Sequence, residues 1–182
     1  MKKILTLLTC GVFVTVSLAQ QKLMPAQSDI SFSIKQMGVP VDGKFTKFDA
    51  QIAFDPKKPD AGKIAFTIDL NSAAVGDAET IKELKKPEWF SITKFPSATF
   101  TSTSIKATGP TKFEVLGNLS IKGVVKSISV PVVLTKTGAV TSADGIFAIK
   151  RGDFKIGEGD WSDFSIVAND VQVKFKLSLS GM

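Results

Sequence analysis

Histidine and tyrosine are absent from this 182-residue chain, and cysteine and arginine occur once each, as Cys10 and Arg151. Without histidine the chain lacks the commonest general base near neutral pH and the commonest imidazole metal ligand. Cys10 lies in an apolar N-terminal stretch. Once that stretch is removed, disulfides, thiol catalysis and cysteine metal sites are excluded, which is compatible with an oxidising compartment. With a single arginine, the formal net charge of +6 is carried by scattered lysines and falls to about +4 if Lys2 and Lys3 are lost. Nucleic-acid binders gather arginine and aromatic side chains on one face; this chain does not, and its charge reads as a solvated surface.

Long hydrophobic runs are missing everywhere except at the start. Lys2 and Lys3 precede "ILTLLTCGVFVTVSLA", which ends in Ser17-Leu18-Ala19. A positive n-region, an apolar stretch and a small-x-small end describe a secretory signal peptide cleaved after Ala19. A retained membrane helix would want a longer span and flanking stop-transfer charges. Acylation at Cys10 would want more apolar residues before it and a better neighbour than Thr9. The expected products are a leader, residues 1–19, and one domain, residues 20–182, in the periplasm or secreted.

What the chain does have is alternation. In "VQVKFKLSLS", Val171, Val173, Phe175, Leu177 and Leu179 share one face, and Lys174, Lys176, Ser178 and Ser180 share the other. That is a strand with a dry side and a wet side. The pattern recurs in "ISFSIK", "KIAFTIDL", "FEVLGNLSI" and "ISVPVVL". With the segments Val41–Phe54, Thr99–Ala107 and Gly145–Lys150 it gives about eight strands, separated by turn signals such as "DPKKPDAG" and "KTGAV". The reading is all-β: a soluble eight-stranded antiparallel barrel, whose interior can be filled by side chains or hold one small ligand. Lysines opposite the hydrophobes and the absence of tyrosine girdles argue against an outer-membrane barrel.

The inward positions are the candidate lining. Many of the 14 phenylalanines fall there. The earlier strands contribute Phe32, Ile34, Phe45, Phe54, Phe66 and Ile68. The later ones contribute Phe100, Phe113, Val115, Leu119, Val132, Val173 and Phe175. Phenylalanine brings large apolar area with no polar handle, and a filled barrel and a hollow one look alike at this level.

One segment breaks the pattern. "GDAETIKELKKPEWF" predicts a short helix over 78–86, capped by Asp77, with Glu79 early, Lys82, Lys85 and Lys86 late, and Pro87 ending it. At about two turns it must dock to be stable. Ile81 and Leu84, followed by Trp89 and Phe90, form an apolar surface suited to closing one end of the barrel, as a lid over a ligand or as plain structural cover.

The ordered series "SDISFSIKQMGVPVDGKFTKFDAQIAFD", "IAFTIDLNS", "WFSITKFPSATFTSTSI", "FEVLGNLSIKGVVKSISVPV" and "IKRGDFKIG" resembles the YceI family of lipocalin-like, polyisoprenoid-binding periplasmic proteins. The resemblance covers nearly all of residues 20–182. It implies a barrel around an apolar tunnel for an isoprenoid chain, such as a quinone tail or related lipid. It implies no catalytic residue, no metal and no cofactor beyond that bound lipid, and no nucleic-acid partner. A transient contact with a membrane or membrane protein fits the same picture. The family's strand-to-helix element often carries an Arg-Asp-His-Leu-like stretch; here the region reads "DAETIKEL".

Two other classes stay open. A carboxylate enzyme would draw on Asp153, Glu158, Asp160 and Asp163, although glycines separate them. A ligand-free interaction or stress-response module would have a solid core; against it, Gly43, Gly117 and Ser102 on inner faces are expected to leave room. Arg151 is expected to pair with Asp153 at a strand end, with a polar contact at the ligand's mouth as the alternative.

Overall fold

The computed structural model describes residues 20–182, so the leader, with Cys10 and the boundary at Ala19, lies outside the described residues. Strands β1 (Gln20–Leu23), β2 (Asp29–Gln36), β3 (Val39–Phe45), β4 (Phe48–Ala53), β5 (Lys63–Asp69) and β6 (Ala73–Val75) precede helix α1 (Ala78–Lys85). After it come β7 (Ser97–Ala107), β8 (Lys112–Ile121), β9 (Val124–Thr137), β10 (Val140–Lys150) and β11 (Val167–Ser180).

The eleven hydrogen-bonded segments make the eight walls of one closed antiparallel barrel. β1 and β2 run in succession along β11, β3 continues into β4, and β5 continues into β6. β2 pairs with β3 and β1 with β4, which closes the ring. The expected strand over Val41–Phe54 is therefore one wall but two strands, broken at Thr46 and Lys47. The break is stitched to the neighbouring wall: Thr46 N–H donates to Ser72 O at 3.2 Å, and Lys47 N–H donates to Ser72 Oγ at 3.0 Å. β1 ("QQKL") and β6 ("AAV") had no clear alternation to announce them. Both are short and gain their place from pairing with β11 and β3.

Register puts the alternating hydrophobes inside, because moving any strand by one residue would turn them all to water. Tight two-residue turns hold two of the hairpins, Met37–Gly38 and Lys122–Gly123. All four residues have positive φ (49°, 81°, 51° and 76°), the backbone that matches strand twist. β7 carries a bulge between Ser102 and Ser104. Ser102 is buried there, and its Oγ accepts from Ile64 N–H at 2.9 Å.

The two ends of the barrel differ. One end gathers the β2–β3 and β8–β9 turns, α1 with the chain up to β7, and the β10–β11 connection. The other carries the β4–β5, β7–β8 and β9–β10 loops and Met182. No described helix is long and apolar enough to cross a membrane.

Candidate functional site

The barrel is hollow. Its interior holds a cavity of about 160 Å³ whose walls are isoleucine, phenylalanine, valine, leucine, alanine and methionine, with no polar atom facing it. Several inward residues, among them Phe66, Phe147, Val173 and Phe175, stay only half-buried because they border this space.

Phe54, Phe66, Ile68, Phe100 and Phe113, of the expected lining, border the cavity, and so do Val115, Leu119, Val132, Val173 and Phe175. Others that border it were on the same faces but had not been singled out, including Ile30, Ile64, Val130, Phe147 and Leu179. Ile105 could not have been found by alternation. The bulge at Ser102/Ser104 reverses the parity of β7, so Phe100 and Ile105 both point inward despite their odd separation.

The room does not arise as expected from Gly43, Gly117 and Ser102. A β-carbon at Gly43 would collide with the tip of the Phe32 ring, and one at Gly117 with the tip of Phe100. Gly145 and Phe175 repeat the arrangement, and Phe32–Gly43 and Gly145–Phe175 are direct cross-strand partners. Each ring lies along the wall over its neighbour's missing side chain. The glycines are covered, and the barrel axis stays clear because rings fold flat rather than reaching across it.

The other expected lining residues, Phe32, Ile34, Phe45, Ile81, Leu84, Trp89 and Phe90, do not border the cavity. Most of them belong to a second, solid cluster that plugs the helix end, where Leu70, Trp89, Ala98, Ile121, Phe154, Ile156 and Val167 are buried together. Leu84, Phe90, Ile34 and Phe45 pack against it. Trp89 lies 5.5 Å from Trp161 between ring centroids, and Phe90 lies 6.4 Å from Phe45. The helix is a structural cover resting on a plug. The cavity meets that plug through Ile68, Phe100, Leu119 and Ile128, which belong to both.

The helix itself forms as its sequence dictates. Asp77 Oδ1 accepts from Thr80 N–H at 2.9 Å and from Thr80 Oγ1 at 3.0 Å, which holds the Asp77 carboxyl below its ordinary pKa. Glu83 receives Lys86 and, at 3.2 Å, Trp161 Nε1; Lys86 is the main reason its pKa is lowered. Trp161 thereby ties the helix to the β10–β11 connection.

Arg151 is not ion-paired with Asp153. It is 1% exposed, and all five of its N–H donors go to backbone carbonyls. Nε donates to Ala168, Nη1 to Ile156 and Gly157, and Nη2 to Trp161 and Val167, at 2.7–3.1 Å. Its guanidinium also lies 5.0 Å from the Phe164 ring and 5.8 Å from Trp89. With every donor spent on folding the β10–β11 connection, none remains for a ligand headgroup, and Arg151 does not border the cavity. Burial lowers its pKa.

The four carboxylates do not assemble. Asp153, Glu158, Asp160 and Asp163 are all exposed; Glu158 pairs with Lys122 at 2.8 Å, and Asp163 Oδ1 accepts from Ser165 N–H at 2.8 Å. Among the described residues, no three acidic side chains come together.

Comparison with known proteins agrees with this architecture. The model of the YceI-like domain matches residues 21–179. Protein YceI of Salmonella arizonae is 33% identical over 159 residues, covering 84% of this chain and 80% of that protein. The crystal structure of BcnA from Burkholderia cenocepacia superposes with a TM-score of 0.84 at 41% identity, covering 86% of this chain and 99% of that one. A polyisoprenoid-binding domain from Saccharophagus degradans shares the fold at a TM-score of 0.74 and 19% identity, covering 91% of this chain and 100% of that one.

Proposed function

The chain belongs to the family of YceI-like domains, and from that premise we propose that it is an exported binding protein for a long isoprenoid chain. The observation that carries this reading is the cavity, which runs inside the barrel with no polar atom on its walls. A guest held there must present only hydrocarbon to the protein. A sugar or any guest polar along its length would be stranded inside, since burying an unpaired polar group is strongly unfavourable. An isoprenoid tail satisfies the walls, and each Å² of it withdrawn from water contributes about 25 cal/mol. Its polar head, a quinone ring or similar group, stays outside the apolar section.

Carriage through an aqueous compartment follows from the same premise. The N-terminal leader supports export, and the lysine-rich outer faces of the strands suit a protein that shields a sparingly soluble tail while remaining dissolved. The four carboxylates are exposed, with Glu158 paired to Lys122 and Asp163 accepting from Ser165, which supports a binding rather than an enzymatic reading.

The experiment is mass spectrometry on protein purified from cells without detergent. Solvent extraction should release an isoprenoid lipid, and the intact mass should correspond to a chain beginning at Gln20. Protein that arrives lipid-free and also takes up no added isoprenoid quinone would sink the proposal.

A further inference from the structure

The barrel wall is not equally sewn all round. β9 is laddered to β8 along Val124–Val133, and β10 to β11 along its whole length. Between β9 and β10, however, the ladder covers only Val133–Thr137 against Val140–Asp144. Toward the helix end, residues 124–132 and 145–150 have no ladder partner across this seam. Two features of the sequence fall where the ladder stops. Pro131 has no N–H to donate, and the backbone of Gly145 approaches so closely that a β-carbon there would collide with Pro131 O.

What surrounds the seam sets it apart from the rest of the outer surface. Val133 and Ile146 are 40% and 50% exposed, and they flank its start on the outside. The other large exposed hydrophobics among the described residues, Met37, Val39, Val125 and Phe164, all lie at the plugged end. Directly behind the seam, Ile128, Val130 and Phe147 border the cavity. Apolar groups therefore stand on both sides of an unladdered strip of wall. The β5–β7 pairing is equally short and β1–β4 shorter still, but neither has a large exposed hydrophobic beside it.

Lysines frame the strip. On the outer face Lys174 stands opposite Ile146 and Lys112 opposite Val133. Lys126 is on the inward register of β9, across from Leu119, and is nevertheless exposed. None of the three takes part in the ion pairs of the described residues. The nearby carboxylates are already engaged, Glu114 accepting from Ser129 Oγ at 2.7 Å and Asp144 from Ser142 Oγ at 2.6 Å. Exposed aliphatic groups set among unpaired lysines suit the interface of an anionic bilayer: the former enter the acyl boundary while the latter meet the headgroups.

We propose that this face docks on an anionic lipid bilayer through Val133 and Ile146, and that the β9–β10 seam is the portal through which an apolar chain passes between bilayer and cavity. The proposal rests on the isoprenoid-binding reading for its cargo. A chain transferred sideways need never cross water, and a seam without ladder pairing has fewer hydrogen bonds to break when it opens.

Two measurements test it. The first is co-sedimentation with phosphatidylcholine vesicles, with and without phosphatidylglycerol, at low and high salt. Binding should require phosphatidylglycerol, weaken with salt, and fall by about tenfold or more in Lys126→Glu/Lys174→Glu. Val133→Ser/Ile146→Ser should weaken it too, with circular dichroism verifying that both variants are folded. The second uses Ser129→Cys/Ala148→Cys, placed where a continued ladder would bring the two together, in a protein otherwise free of cysteine after Ala19. Transfer of ubiquinone from vesicles should stop when the bridge is oxidised and return on reduction, while ubiquinone loaded beforehand stays bound. Failure to bind anionic vesicles overturns the docking, and undiminished transfer through the oxidised bridge overturns the portal. Vesicle binding by a protein that accepts no isoprenoid from vesicle or micelle would support docking and remove the cargo instead.

Discussion

Arg151 is the residue on which the plugged end depends. A guanidinium can satisfy five acceptors in a fixed plane, and the β10–β11 connection folds around it, presenting carbonyls from Ile156, Gly157, Trp161, Val167 and Ala168. Each buried carbonyl left without a partner costs about 1–3 kcal/mol. Arg151→Ala should therefore destabilise the protein by about 3 kcal/mol or more, seen as a large fall in Tm. Arg151→Lys should recover only part of it, because an ammonium has three donors and no planar fork. Isoprenoid affinity, measured below the melting range, should change far less than Tm. A variant of normal Tm with lost affinity would instead place Arg151 at the ligand. The nearby Trp89 shows the opposite case: its Nε1–H is buried without a partner, so its ring is held by contacts with Trp161 and the Arg151 guanidinium rather than by a side-chain hydrogen bond.

At the scale of elements, α1 is short enough for its cap to matter. The Asp77 carboxylate accepts from the Thr80 backbone and hydroxyl, and its pKa is lowered from 3.8. The stabilisation is thus present above the ordinary carboxylate value and is lost as pH falls through the lowered one. Thr80 amide exchange should therefore accelerate, relative to the strands, only below about pH 3.8. Asp77→Asn, which caps without titrating, should remove that pH dependence; an unchanged acid response in that variant would show the cap is not its source. This helix was legible in the sequence because its signals are local: cap, charge order and Pro87. The eight walls were legible for a similar reason, since alternation is read within one strand. The breaks at Thr46–Lys47 and at Ser102/Ser104 were not, because they depend on Ser72 and Ile64, which are distant in the chain. The cavity was half-legible. The inward phenylalanines were identifiable, but whether each ring crosses the axis or lies over a glycine depends on which strand stands beside it. Trp89 and Phe90 went to the plug rather than the cavity because the chain after α1 packs onto Phe154 and Ile156, partners that only the fold brings near.

For the whole molecule, the hollow barrel forgoes contacts that a filled one would make. Close-packed interiors are the norm, and unfilled apolar space means dispersion contacts not made. A guest that occupies the cavity restores them and stabilises the folded state by mass action, by about 2.7 kcal/mol when its concentration is a hundredfold above Kd. For a domain of this length that corresponds to a Tm rise of roughly 5–10 °C. Val132 borders the cavity and is half-buried, so Val132→Phe should fill part of the space from a wall that already accommodates aromatic neighbours. The empty variant should melt higher than the empty wild type, because stability and function draw on the same volume. Its Tm should then respond little to isoprenoid quinone. Two thermal melts of each protein, with and without quinone, decide the matter. A Val132→Phe protein that is both more stable and fully responsive would mean that the guest lies somewhere other than in this cavity.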